Sequence, residues 1–239
     1  MPYRKEEFVN GEIYHIIFRA IDENLLFKND DDYYRGIFSL YEFNNGKPIE
    51  IRQRRKERKR EKIIEVNGGP SSVDKRERLV DVFAFCLMPN HIHLLLKQLK
   101  EGGITKYMSK NGTGYAGYFN RKYDHKGYVF QNRFQSVHIK NDNQLKIVLN
   151  YIHTNPISLV EPKWKELGIK NSERVIGFLK NKYRWSSNFD YLGKKNFPSV
   201  TERDFMLEIM GGVNGCQNFI NKWVVYKNEL TQRKDLFLE

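Results

Sequence analysis

The chain has 239 residues, 40% of them hydrophobic and 14% aromatic, and its 41 Lys and Arg against 29 Asp and Glu leave a net charge of +12. This suffices for one core with additions and excludes wholesale disorder; no window has the unbroken apolar length of a membrane span, and the first residues lack the apolar stretch of a signal peptide, so a cytoplasmic protein is expected. Cys86 and Cys216 stand far apart, which excludes a disulfide scaffold and a Cys-based zinc site, while the surplus charge points to a polyanion, nucleic acid first, although basic residues also serve solubility.

Residues 12–19, β-branched and aromatic, predict a strand. From Asp30 to about Asn44, Tyr34, Ile37, Phe38 and Tyr41 recur at helical spacing behind an acidic start. Residues 47–66 carry nine Lys and Arg against four Glu, with no apolar residue between Arg52 and Lys62. They read as a charged insertion, a solvated helix, that runs with the flexible loop 67–72 to make an insert over 47–72. Residues 79–88 and 91–97 predict two strands joined at Met88-Pro89-Asn90. A helix is predicted over 103–123, against the weight of Gly112, Gly114 and Gly117. Residues 128–139 predict a further strand, 141–151 a helix stopped by Pro156, and 201–210 and 214–229 two more helices. This order predicts an α+β sandwich, with helices on one face of a mainly antiparallel sheet.

His91-Ile92-His93 is the sharpest chemical feature. Alternate side chains of a strand share a face, so both imidazoles point one way while Ile92 points into the core. Two neutral imidazoles are half of a divalent-metal site; without a third ligand the same pair fits a half-exposed strand that carries two of the six histidines. The partner segment is Tyr151-Ile152-His153-Thr154-Asn155-Pro156, whose helical spacing puts Tyr151 and Asn155 on one face. A phenol oxygen is a nucleophile and an amide oxygen a hard ligand for Mg²⁺ or Mn²⁺, but a helical Tyr is also a core residue and Asn-Pro a helix stop. His153 points elsewhere and reads as a surface or capping residue.

Leu87-Met88-Pro89-Asn90-His91-Ile92-His93-Leu94-Leu95 resembles the His-hydrophobic-His signature of the single-tyrosine HUH transposases. Tyr151-Ile152-His153-Thr154-Asn155-Pro156 resembles the Tyr-x-x-x-Asn-Pro segment of their REP-associated branch, within the IS200-like family. Tyr14-His15-Ile16-Ile17-Phe18-Arg19 is similar to the family's first strand. Residues 127–134 are similar to its Gly-x-x-Trp-Gln-x-Arg-Phe segment, with Phe130 in place of Trp. Tyr183-Arg184-Trp185-Ser186-Ser187 with Tyr191 is similar to its Trp-Ser-Ser-x-x-x-Tyr ending. The five stretches fall in order from about residue 12 to 192. Set against them, the insertion has no counterpart in the usual pattern, Ile157-Ser158-Leu159-Val160 stands where a basic residue and a Gly often follow, and the chain beyond about residue 195 is unmatched.

The resemblance implies a ferredoxin-like catalytic domain over 1–195, with a helical C-terminal extension over 196–239. It implies cleavage and rejoining of single-stranded DNA beside palindromic hairpin elements. His91, His93 and Asn155 would hold Mg²⁺ or Mn²⁺, and Tyr151 would form a 5′-phosphotyrosine that stores the ester energy for strand transfer. Arg133 with Tyr128 and Phe130, and Arg121 with Lys122, would offer phosphate contacts and stacking surface; core packing explains the aromatics equally well. Arg54, Arg55 and Arg58 of the insertion would track phosphates or make a solvated face. A hairpin-binding protein without strand transfer and a water-using metal nuclease are the rival readings. Monomer and homodimer both stay open.

Overall fold

The computed structural model describes residues 7–66, 74–131 and 133–236. The loop expected at 67–72 lies outside them. Four strands form one sheet: β1 (Ile13–Arg19), β2 (Val80–Met88), β3 (His91–Gln98) and β4 (Gln135–Ile139). They lie in the order β2-β3-β1-β4 with every neighbouring pair antiparallel. With α1 (Asp30–Glu42) between β1 and β2, and α3 (Gly103–Tyr123) between β3 and β4, this is the split β-α-β of a ferredoxin-like fold. The central strand β1 pairs His15 with Leu95 on one side and Val137 on the other.

The helices that follow β1 and β4 start where the sequence provides an asparagine cap. Asn29 Oδ1 accepts from Asp32 N–H at 3.3 Å to open α1, and Asn141 Oδ1 accepts from Gln144 N–H at 2.9 Å to open α4 (Asp142–Thr154). Two glycines of α3, Gly112 and Gly114, are packing residues rather than weak points. A Cβ on Gly112 would meet the Phe18 ring at 3.0 Å, and one on Gly114 would sit inside the Phe43 ring. Close approach to those rings outweighs the helix cost of glycine.

Tyr14, Ile16 and Phe18 of β1 point to the face covered by α1 and α3. His15 points to the opposite face, where Tyr151 of α4 lies against it. One-sided cover therefore holds for α1 and α3 alone. The physical reason is in β2 and β3, whose near-continuous apolar runs are buried on both faces and require a second layer. That layer is α4 and the helices after it: α5 (Trp164–Leu167), α6 (Ser172–Asn181), α7 (Asn188–Tyr191), α8 (Asp204–Met210) and α9 (Gly212–Leu236). Met206 and Cys216 belong to the main core, while Ile220 and Val224 close a second cluster with Ile157, Trp164, Val175 and Leu179.

The expected strand over 128–139 is only partly one. Its second half is β4; Phe130 makes a single bridge to Ala20 and stacks on Phe18 at 3.9 Å, so that part is held by a ring contact rather than by a ladder. The charged segment is a helix, α2 (Ile51–Val66). The exposed edge of β2 is closed by the segment Trp185-Ser186-Ser187: Leu87 N–H donates to Trp185 O at 2.9 Å and Ser187 N–H to Phe85 O at 3.0 Å. Tyr183 and Tyr191 donate their hydroxyls to Leu87 O and Phe83 O on the same strand.

Candidate active site

His91 and His93 share a face of β3 with ring centroids 4.8 Å apart. Across the strand boundary His15 Nε2 lies 3.0 Å from His93 Nδ1. Tyr151 of α4 stands edge-on to both, its ring 5.5 Å from that of His93 and 5.8 Å from that of His15. Asn155 follows on the 3₁₀ turn Asn155–Leu159; its side chain is hydrogen-bonded to His91, and its Nδ2 donates to Tyr151 O at 3.3 Å. The four residues singled out from sequence thus meet in one place. As expected, the α-helix stops before Pro156, with α4 ending at Thr154. Pro156 sits at the start of the 3₁₀ turn, where its missing N–H costs nothing.

Burial decides the charge state. It pushes His15 down to about 4; it pushes His91 down to about 4, helped by the positive charges of Arg19 and Lys165; and it lowers His93 well below the ordinary value. All three are neutral imidazoles at neutral pH, the form that ligates metals. His91 Nδ1–H donates to Asn90 Oδ1 at 2.6 Å, which leaves Nε2 as its lone-pair nitrogen. His93 Nε2 is buried and meets no hydrogen-bond partner, while its Nδ1 is taken by His15. A buried bare ring nitrogen fits a metal ligand. Among the described residues no three His, Cys, Asp or Glu side chains converge as a metal group; the side chain beside the pair that carries a hard amide oxygen is that of Asn155.

Several residues were missed in sequence. His15 and Arg19 lie on one face of β1, and period-2 alternation from His15 would have found both. Lys165, whose Nζ lies 5.4 Å from the Tyr151 ring, comes from a turn that no periodicity marks. His153 is a correction: it is 1% exposed rather than at the surface, and its Nε2 lies 2.9 Å from Ser187 Oγ, which accepts from Phe85 N–H at 3.1 Å. This chain pins α4 to β2 and so sets where Tyr151 and Asn155 stand.

The expected DNA contacts divide. Tyr128, Arg121, Arg133 and Arg55 are exposed. Phe130 is buried against Phe18, a core residue and not a stacking surface. Lys122 Nζ is bonded to Asp32 Oδ1 at 2.7 Å, and Arg54 and Arg58 pair with Glu42. Those three cations neutralise internal carboxylates. The segment with Tyr128 and Arg133 borders the site, because Gln131 N–H donates to Arg19 O at 3.0 Å and Arg19 pairs with His91 across the sheet.

A ferredoxin-like sheet here presents a His-x-His pair to a helix-borne tyrosine. Residues 51–155 match the family model described as IS200-like transposase, a span that ends on Asn155 and contains His91, His93 and Tyr151. Over that span the chain is similar to IS200-like transposases, as the motifs implied, and the match starts at the first residue of α2, which the sequence had set apart as an unmatched insertion. No curated protein matches the sequence. Among solved structures, a REP-associated tyrosine transposase bound to a REP hairpin is 14% identical, with 85% of this chain and 93% of that chain covered at a TM-score of 0.44. Among the described residues no helix is long and apolar enough to cross a membrane.

Proposed function

We propose that the protein is a metal-dependent, cytoplasmic DNA strand transferase that cuts and rejoins single-stranded DNA beside hairpin elements through Tyr151. The observation that carries this reading is the placement of the Tyr151 ring against His93 and His15 with Asn155 bonded to His91. A pure binding protein has no use for a nucleophile held over a ligand set.

The Tyr151 hydroxyl attacks the scissile phosphorus and forms a phosphotyrosine ester with the 5′ side of the cut. The P–O3′ bond breaks, and the departing 3′ oxygen takes a proton to become a free hydroxyl. Reversal on a new 3′-hydroxyl rejoins a strand without another energy source. Arg19 and Lys165, the two cations felt by His91 and His93, attract the phosphate. His15 fixes the ring of His93 by its hydrogen bond. Mg²⁺ or Mn²⁺ held by His91, His93 and Asn155 would supply polarisation of a non-bridging phosphoryl oxygen. Tyr128, Arg133 and Arg121 guide the strand at the rim.

The test is incubation with a hairpin-bearing single strand and Mg²⁺ or Mn²⁺. Tyrosine chemistry gives a denaturation-resistant protein–DNA adduct that Tyr151→Phe removes. Cleavage without an adduct would establish a water-using nuclease instead, and tight binding without cleavage a hairpin-binding protein.

A further inference from the structure

We propose that α2 is a second DNA contact, a sequence-independent clamp for the phosphate backbone of duplex DNA on the side of the sheet away from Tyr151. The choice of DNA rests on the function proposed above; the geometry of the clamp does not.

The middle turns of α2 cannot dock by apolar burial, because no apolar residue occurs between Arg52 and Lys62. They dock by charge. The Glu42 carboxylate at the end of α1, 1% exposed, accepts from Arg54 Nε on Oε2 and from Arg58 Nε on Oε1, each at 3.0 Å. Arg54 also pairs with Glu57, and Arg58 lies 3.5 Å from Glu61 and over the Tyr41 ring. These contacts fix the rotation of α2. At 3.6 residues per turn, Arg52, Arg55, Lys56, Lys59 and Lys62 then fall within an arc of about 120° and span about 15 Å of helix. All five are exposed, and among the described residues none meets a carboxylate. Beside them a cleft of about 450 Å³ is lined by Phe38, Arg55, Lys56, Arg58, Lys59 and Lys62.

A rigid cationic stripe of that length faces about 4 phosphates of one duplex strand, at 3.4 Å of axis per phosphate. Single-strand sites interleave cations with stacking aromatics, whereas Phe38 is the one ring lining this cleft. A membrane-surface helix carries an apolar face, which residues 52–62 lack. Since α2 docks on α1, and α1 covers the face opposite His15, the DNA held here is a different segment from the strand at Tyr151.

The test uses the full chain and a blunt duplex of arbitrary sequence, without metal, read by fluorescence anisotropy over a salt series. Replacing Arg55, Lys56, Lys59 and Lys62 together by Gln lowers the slope of log affinity against log salt by about 3 and weakens low-salt binding on the order of 100-fold. Glu42→Gln adds a unit of positive charge yet releases the helix, so duplex affinity falls; a rise would show that net charge alone binds DNA and would overturn the clamp. Should Glu42→Gln not fold, the four-residue variant, altered only at exposed positions, decides. An unchanged slope overturns the proposal, and so does loss of binding to anionic vesicles with duplex binding intact. Because no cleavage is read, a missing Tyr151 adduct leaves this result standing, and a missing duplex complex leaves the adduct standing.

Discussion

His15 and His93, 78 residues apart in the chain, are joined ring to ring at 3.0 Å inside the sheet. A ligating role for His93 requires its Nδ1–H to donate to His15 Nε2, the direction that leaves the lone pair on His93 Nε2. Outer partners of this kind are worth 10–100-fold in metal affinity. His15→Ala is therefore expected to weaken Mn²⁺ binding by about 10-fold or more and to slow adduct formation, whereas Tyr151→Phe removes the adduct with Mn²⁺ affinity kept. A titration followed by electron paramagnetic resonance separates the two. Equal Mn²⁺ affinity in His15→Ala and the parent chain would contradict the role given to His15.

Two glycines of one helix predict opposite signs. A methyl group on Gly114 collides with the Phe43 ring, while one on Gly117 meets only the end of Arg121 at 3.6 Å. Gly114→Ala should cost about 1–3 kcal/mol through overpacking. Gly117→Ala should gain roughly 0.5–1 kcal/mol through helix propensity. Urea midpoints of the two variants check this directly, and a stabilised Gly114→Ala would refute the packing account of α3.

The matched pair Tyr128 and Phe130 separates binding from packing. Phe130 is 7% exposed and stacked at 3.9 Å on Phe18, so Phe130→Ala should lose about 3–5 kcal/mol of stability. Tyr128 is 76% exposed, and Tyr128→Ala should leave the melting temperature unchanged while weakening single-strand binding by about 1–3 kcal/mol. Thermal melts and anisotropy with a hairpin oligonucleotide read both effects.

Asp32 makes stability depend on acid. Burial alone would raise its carboxyl, but Lys122 Nζ at 2.7 Å, the Tyr123 and Tyr118 hydroxyls at 2.6 and 2.8 Å, and Lys28 N–H at 2.8 Å outweigh burial and hold it below its ordinary 3.8. A carboxyl lowered by folding contributes stability above its unfolded value and loses it as pH falls through the folded value. Asp32→Asn should thus cost on the order of 3 kcal/mol near neutral pH, the scale for unpairing a buried ion. The gap from the parent chain should close below about pH 4. Denaturant melts at a series of pH values test it; a gap that widened on acidification would reverse the sign.

The local structure was legible because it is written in local periodicity. Alternation in residues 91–97 put His91 and His93 on one face, the spacing of Tyr151 and Asn155 put them on one side of α4, and the apolar runs of β2 and β3 gave the strands their limits. The glycines of α3 argued against a helix that forms in full, since a propensity scale does not see Phe18 and Phe43 filling the space.

What the sequence by itself determined is the four strands, the helices α1 to α4 and the last two helices, and that His91 shares a face with His93 and Tyr151 with Asn155, since spacing along one element fixes which of its side chains share a face. Tertiary structure decided what each residue touches: that His15 joins His93, that His153 pins α4 through Ser187, that Phe130 is core, and that Arg54 and Arg58 serve Glu42 and turn the other cations outward. Those pairings link elements far apart in the chain. They follow from sheet register and from the need of every buried polar group for a partner, which no local pattern encodes.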